Sequence, residues 1–161
     1  GGAGQGGSGR GLVGGLPAVA GGGVAGGGGG PIGGIAFGLK GASPDIAVIG
    51  VQSDGYPLWT RCLEAGGPVT MKPDTIADGT TAPFNPDMFE LLKECVDRWL
   101  TVPEPRLRTA IPELASAAKV VAEGAGALAY AALEQLEPGP VTAAVVSGGN
   151  IDPKLLASLL S

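Results

Sequence analysis

Three glycine-bearing stretches and one carboxylate hold most of the residues that could do chemistry. The first is Gly26-Gly-Gly-Gly-Gly30-Pro31-Ile32-Gly-Gly-Ile35, the second Thr75-Ile-Ala-Asp-Gly79, and the third Ser147-Gly-Gly-Asn150. Glu123-Gly-Ala-Gly126 lies between the last two. A glycine loop that feeds the first turn of a helix presents backbone N–H groups with no Cβ atoms in the way. The unpaired amides of that turn carry partial positive charge, so the arrangement suits an anion such as a phosphate. The plainer reading of the same run is a flexible linker. Likewise, Thr75 to Gly79 reads as a surface loop, Ser147 to Asn150 as a strand-to-helix turn, and Glu123 as a solvated or capping carboxylate.

Composition narrows the choices. The chain has 161 residues, enough for one domain or one large piece of one. Its net charge of −5 disfavours nucleic-acid binding by phosphate neutralisation. Histidine is absent, which removes the commonest general base and zinc ligand. Cys62 and Cys95 are far apart and form no CxxC motif, so both read as reduced thiols on two helices of a cytoplasmic protein. No apolar run reaches the roughly 18–20 residues of a membrane span, and no signal peptide is evident.

The elements that must position these residues alternate. Val19 to Gly26 stands where a strand should feed the glycine loop, although its glycines weaken a strand and supply nothing to pack. Pro31 to Lys40 reads as a helix with Ile32, Ile35, Ala36 and Leu39 on one face, closed by Gly41. Ile46 to Val51 is an apolar run of the kind found in a strand covered on both sides. Further helices are expected over about 57–65, 87–97 and 105–122, the last kinked or restarted by Pro112. Gly124-Ala-Gly126 reads as an interruption before another helix running to about Leu136. Arg98 to Val102 and Val141 to Val146 complete the strands, and Asp152-Pro153 starts a last helix. The pattern is α/β with a mainly parallel sheet flanked by helices. In such sheets ligands bind beyond the carboxyl ends of the strands, where the three stretches should meet.

Taken together, Gly27 to Gly30, Thr75 to Gly79, Glu123 to Gly126 and Ser147 to Asn150 resemble the pyridoxal-phosphate enzymes of the threonine dehydratase and serine racemase family, of fold type II (tryptophan-synthase-β-like). The resemblance runs from about Ala3 to Leu156, and includes Ala3-Gly-Gln-Gly6 and Leu16-Pro17. It implies that Gly27, Gly28, Gly29 and Gly30, with the backbone at Pro31, hold the phosphate of pyridoxal 5'-phosphate. It implies that Ser147 bonds the pyridine nitrogen, that Gly79 lies against a ring face, and that Glu123 sits near ring and substrate. A neutral hydroxyl at the nitrogen would moderate the electron sink.

Some relatives bind a divalent cation at positions matching Gln52, Tyr56 and Leu58. Only the backbone carbonyl survives here, so no metal is expected. The family's Schiff-base lysine lies in a Ser-Phe-Lys-like motif, and none of Lys40, Lys72, Lys93, Lys119 and Lys154 has that context. The chain therefore reads as the C-terminal half of a catalytic domain, 1–161, with a degraded glycine-rich front (1–26) and a better-preserved remainder (27–161).

The implied activity is an ammonia-lyase acting on L-threonine or L-serine by α-proton abstraction and β-elimination, inactive until the other half is supplied. Racemisation in the same family stays open. So does a dinucleotide-binding module, through Gly28-x-Gly30-x-x-Gly33 and Asp54. A non-catalytic remnant that associates through an exposed sheet edge, or a homo-oligomer, is the remaining alternative.

Overall fold

A computed structural model describes residues 21–25, 30–137 and 142–161; for 21–25 the backbone alone is described. The strands are β1 (Gly21–Ala25), β2 (Ala47–Ser53), β3 (Arg98–Val102) and β4 (Thr142–Ala144). The helices are α1 (Gly30–Ala42), α2 (Leu58–Ala65), α3 (Pro86–Cys95), α4 (Glu104–Glu113), α5 (Gly124–Ala131) and α6 (Pro153–Leu160). Among the described residues the strands form one sheet in the order β3-β2-β1-β4, and every pairing is parallel. This is the α/β architecture that the alternating pattern predicts.

Alternation along β2 explains why its apolar run is continuous. Val48 joins one buried cluster with Ile32, Ile35, Leu39, Trp59, Cys62, Phe89 and Leu92. Ile49 and Val51 turn to a second, with Val102, Leu107, Ile111, Leu114 and Leu128. Successive residues of a strand face opposite ways, so a strand between two apolar layers has no polar face to show. The glycine-rich β1 sits between β2 and β4, with Gly21 beside Ala47 on one side and Thr142 on the other. Val19 and Ala20, at the front of the expected first strand, lie outside the described residues.

The apolar face expected on α1 is buried, with Ile32, Ile35, Ala36 and Leu39 each at most 3% exposed. The helix runs on to Ala42, so Gly41 does not close it. A left-handed glycine instead ends α2: Gly66 has φ +71°, and Gly67 N–H donates to the Cys62 carbonyl at 3.0 Å. Asn85 caps α3 by accepting from Met88 N–H at 2.9 Å, with Pro86 following, so this helix begins just before the expected Asp87.

Two expectations are corrected. The helix over 105–122 is shorter: α4 passes through Pro112 to Glu113, and the chain then widens into a π turn over Leu114–Ala118. Lys119 ends that turn at φ +58°. Proline has no N–H for the regular ladder, so the wider turn takes over immediately after it. Gly124 and Gly126 do not interrupt a helix; they form the first turn of α5. A Cβ on Gly124 would stand 2.3 Å from the Ile76 carbonyl oxygen, and one on Gly126 would stand 2.2 Å from that of Ser147. These glycines let a helix start press against two loop backbones.

Candidate functional site

The loop carrying Thr75 to Gly79 is held by a carboxylate from α4. Glu104 accepts the Ile76 amide at 3.1 Å through one oxygen and the Ser53 hydroxyl through the other. Asp54, at the end of β2, accepts the Glu104 amide at 3.2 Å. Gly55 approaches the Asp74 backbone so closely that a Cβ would stand 1.9 Å from the Asp74 carbonyl oxygen. Within the loop, Thr75 Oγ1 accepts Ala77 N–H at 3.0 Å, and buried Thr80 donates its hydroxyl to the Ala77 carbonyl at 2.7 Å. A single turn over Asp78–Thr80 results, with Gly79 at its centre.

The turn after β4 is fixed from the other side. Glu123 N–H donates to the Gly148 carbonyl at 3.1 Å, and Glu123 Oε2 accepts Asn150 N–H at 2.9 Å. Gly148 adopts φ +87°, where glycine is at home and L side chains are strained. Immediately C-terminal to Glu123, α5 begins; a carboxylate at that end is favoured by the unpaired amides of the first turn.

These pieces enclose one cavity of about 220 Å³, lined by Pro31, Gly79, Thr80, Glu123, Ala125, Ser147 and Gly148. The start of α1 and the loop after β4 thus share one space, as strand-end loops of a parallel sheet should. Of the residues singled out in the sequence, Pro31, Gly79, Glu123 and Ser147 meet there. Gly30 opens α1 next to Pro31, while Gly27, Gly28 and Gly29 lie outside the described residues. The sequence alone assigns no role to Thr80, Ala125 and Gly148. Gly148 is visible in its motif, and the clue is its place between a hydroxyl and a turn. Nothing in the sequence marks Glu104, because its partners lie 51 and 28 residues away.

The other candidates go elsewhere. Gln52 is buried and accepts Thr60 N–H at 3.2 Å, and Tyr56 and Leu58 are buried in the core. Among the described residues no three His, Cys, Asp or Glu side chains gather as a ligand set. Asp54 of the dinucleotide pattern is engaged with the α4 start. Lys40 bonds Asp97 at 2.7 Å, Lys93 bonds Glu90, and Lys119 donates to the Ser116 carbonyl; no lysine lines the cavity. Cys62 and Cys95 are buried free thiols in the core. Among the described residues no helix is long and apolar enough to cross a membrane.

Comparison with known proteins bears on this geometry. Residues 14–148 match the family described as pyridoxal-phosphate dependent enzyme. The chain is 41% identical over 135 residues to the L-threonine ammonia-lyase of Thermotoga maritima, covering 81% of this chain and 33% of that protein. It is 39% identical over 129 residues to the catabolic L-threonine dehydratase of Escherichia coli K12, covering 75% and 39%. It superposes on the crystal structure of a T.th. threonine deaminase with a TM-score of 0.85 at 34% identity, covering 92% of this chain and 58% of that one. On maize serine racemase the TM-score is 0.88 at 27% identity, covering 96% and 50%. The chain therefore spans about a third of the length of the curated relatives it matches.

Proposed function

The chain belongs to the pyridoxal-phosphate dependent enzyme family, and from that premise we propose that it is part of a fold-type-II ammonia-lyase that dehydrates L-threonine or L-serine. The observation that carries the reading is the shared cavity. A helix start at Pro31, the glycine turn at Gly79 and Ser147 from the loop after β4 line one space.

The lining of that space supports the reading. A Cβ on Gly79 would stand 3.2 Å from Ala125 Cβ and 3.3 Å from Glu123 Oε1. A larger side chain there would fill the room a planar ring needs. In this reading Gly27 to Gly30 and the backbone at Pro31 hold the phosphate, using the unpaired amides of the α1 start. Ser147 holds the pyridine nitrogen through a neutral hydroxyl, and Gly79 leaves one ring face open. When bound, pyridoxal 5'-phosphate supplies the electron sink that lowers the cost of removing the substrate's α-proton. The substrate loses that proton and its β-hydroxyl as water, and hydrolysis by a second water of the imine so formed then releases ammonia and leaves a 2-oxo acid. Glu123 borders the ring side of the cavity. No lysine lines the cavity, so in this reading the proton-transferring amine comes from a complementary part of the catalytic domain.

On the same reading the 161 residues are one partial catalytic domain, inactive until complemented, with residues 1–26 as a degraded front. The setting is a reducing, cytoplasmic one, in keeping with two buried free thiols. Homo-oligomer formation or pairing along an outer strand would cover the sheet edges. A racemase is the second reading, favoured by the likeness to maize serine racemase.

The test is phosphate-dependent binding. Purified chain, alone and mixed with the complementary half, is titrated with pyridoxal phosphate, pyridoxal and NAD. The expected result is a clear preference for the phosphorylated vitamin, weakened by Ser147→Ala. Equal weak binding of all three, even with the other half present, overturns the proposal.

A further inference from the structure

The two oxygens of Glu123 face different ways. Oε2 accepts the Asn150 amide at 2.9 Å. Oε1 borders the cavity, 2.6 Å from where a Cβ of Gly148 would be and 3.3 Å from where one of Gly79 would be. The same residue's N–H donates to the Gly148 carbonyl at 3.1 Å. Backbone and side chain of one residue thus grip the Ser147–Asn150 turn at two points. The turn is all glycine between Ser147 and Asn150, so it has little stiffness of its own. It leaves a three-residue strand, the shortest in the sheet, and Ser147 to Asn150 are all exposed. The α5 backbone at Gly126 lies against the Ser147 and Gly148 carbonyls, and the hydrogen bonds across to this turn from α5 and its cap are the two of Glu123.

We propose that Glu123 is the positioning residue for Ser147: its carboxylate and amide clamp the turn after β4 and so aim the Ser147 hydroxyl into the cavity. The clamp is a property of the chain itself. Its consequence for affinity rests on the cofactor reading given above. A carboxylate accepting a backbone amide is a charge-assisted bond, among the stronger kinds. Gly148 is required because its left-handed backbone and missing Cβ admit the carboxylate.

The experiment compares amide hydrogen exchange in the whole chain for wild type, Glu123→Ala, Glu123→Met and Glu123→Gln. Val51 in β2 serves as the reference for global folding. In Glu123→Ala the Asn150 amide is expected to exchange about 10-fold faster or more, with Val51 unchanged. Glu123→Met keeps the bulk without the acceptor and carries the comparison if the alanine variant does not fold. Glu123→Gln keeps an acceptor for Asn150 and turns an NH2 group toward the cavity, so its Asn150 amide is expected to stay protected. Unchanged Asn150 exchange in both the alanine and methionine variants overturns the clamp. So does equal loss of protection in the glutamine variant.

The second readout is pyridoxal phosphate affinity. Loss in the alanine variant, restoration in the glutamine variant, and no further loss when Glu123→Ala is added to Ser147→Ala are the expected results. If the glutamine variant binds as poorly as alanine while its Asn150 amide stays protected, Glu123 acts on the ligand directly and the positioning role is wrong. A wild-type chain that binds no cofactor refutes the proposed function, and the exchange data still decide the clamp.

Discussion

A methyl group on Gly148 would stand 2.6 Å from Oε1 of Glu123, on a backbone whose φ is +87°. Gly148→Ala is therefore opposed twice. The left-handed backbone alone costs an L residue roughly 1–2 kcal/mol, and the carboxylate must also withdraw. The expected outcome is a lower denaturation midpoint and a faster-exchanging Asn150 amide, read by urea titration and exchange on the same sample.

Gly126 makes a harder contact. A Cβ there would stand 2.2 Å from the Ser147 carbonyl oxygen and 2.6 Å from that of Gly148. Backbone oxygens cannot rotate away as a side-chain tip can. Gly126→Ala is expected to destabilise by about 1–3 kcal/mol, the usual range for overpacking. It also pushes Ser147 off its place, so pyridoxal phosphate affinity falls with stability. Gly41→Ala, inside α1 with open space around the new Cβ, is the control that leaves affinity unchanged and does not lower stability.

Asp97 ties the start of β3 to β2. Its carboxylate accepts Val48 N–H at 2.7 Å and pairs with Lys40 at 2.7 Å. Partial burial opposes its ionisation, but the Lys40 and Val48 hydrogen bonds outweigh this and hold its pKa below the ordinary value. Ionised Asp97 thus stabilises the fold at neutral pH. The contribution fades as pH falls through the usual carboxylate value of about 3.9 toward its lower folded value. Because the pair is partly exposed, its worth is below about 1 kcal/mol. Asp97→Asn is expected to flatten the acid limb of a stability–pH curve measured by urea titration, with little change in the curve's shape above pH ~6.

Burial raises the Cys95 thiol pKa, and the neighbouring charge of Glu94 raises it further. The thiolate is the reactive form. Iodoacetamide at mildly alkaline pH should therefore label Cys95 only slowly in the folded chain and promptly in urea. Peptide mass spectrometry checks this. Labelling at equal rates in both states would contradict the buried placement.

The parts of the fold legible in the sequence are those whose cause is local. Ile46 to Val51 is apolar throughout because both faces of β2 are covered. The helical spacing of Ile32, Ile35, Ala36 and Leu39 reports a single buried face. Asp152-Pro153 announces α6, where Asp152 accepts Lys154 and Leu155 amides at 2.8 and 2.9 Å. What the sequence hides has a distant cause. Gly124 and Gly126 look like breaks until Ile76 and Ser147 are known to lie against them. In the site, Pro31, Gly79, Glu123 and Ser147 are recognisable through their motifs. Thr80 and Ala125 enter because the turn and the helix start happen to wall the same space.

The Glu104 carboxylate joins the tip of β2, through Ser53, to the Ile76 amide across long stretches of chain. The Ser53 bond lies at the end of the β2–β3 ladder, where Ser53 pairs with Val102 and Glu104 follows after Pro103. Contacts between residues so far apart in sequence form late, after the loops between them have been closed. In a refolding time course the Ile76 amide should therefore gain protection no earlier than the local helices, such as α3, because its partner lies 28 residues away.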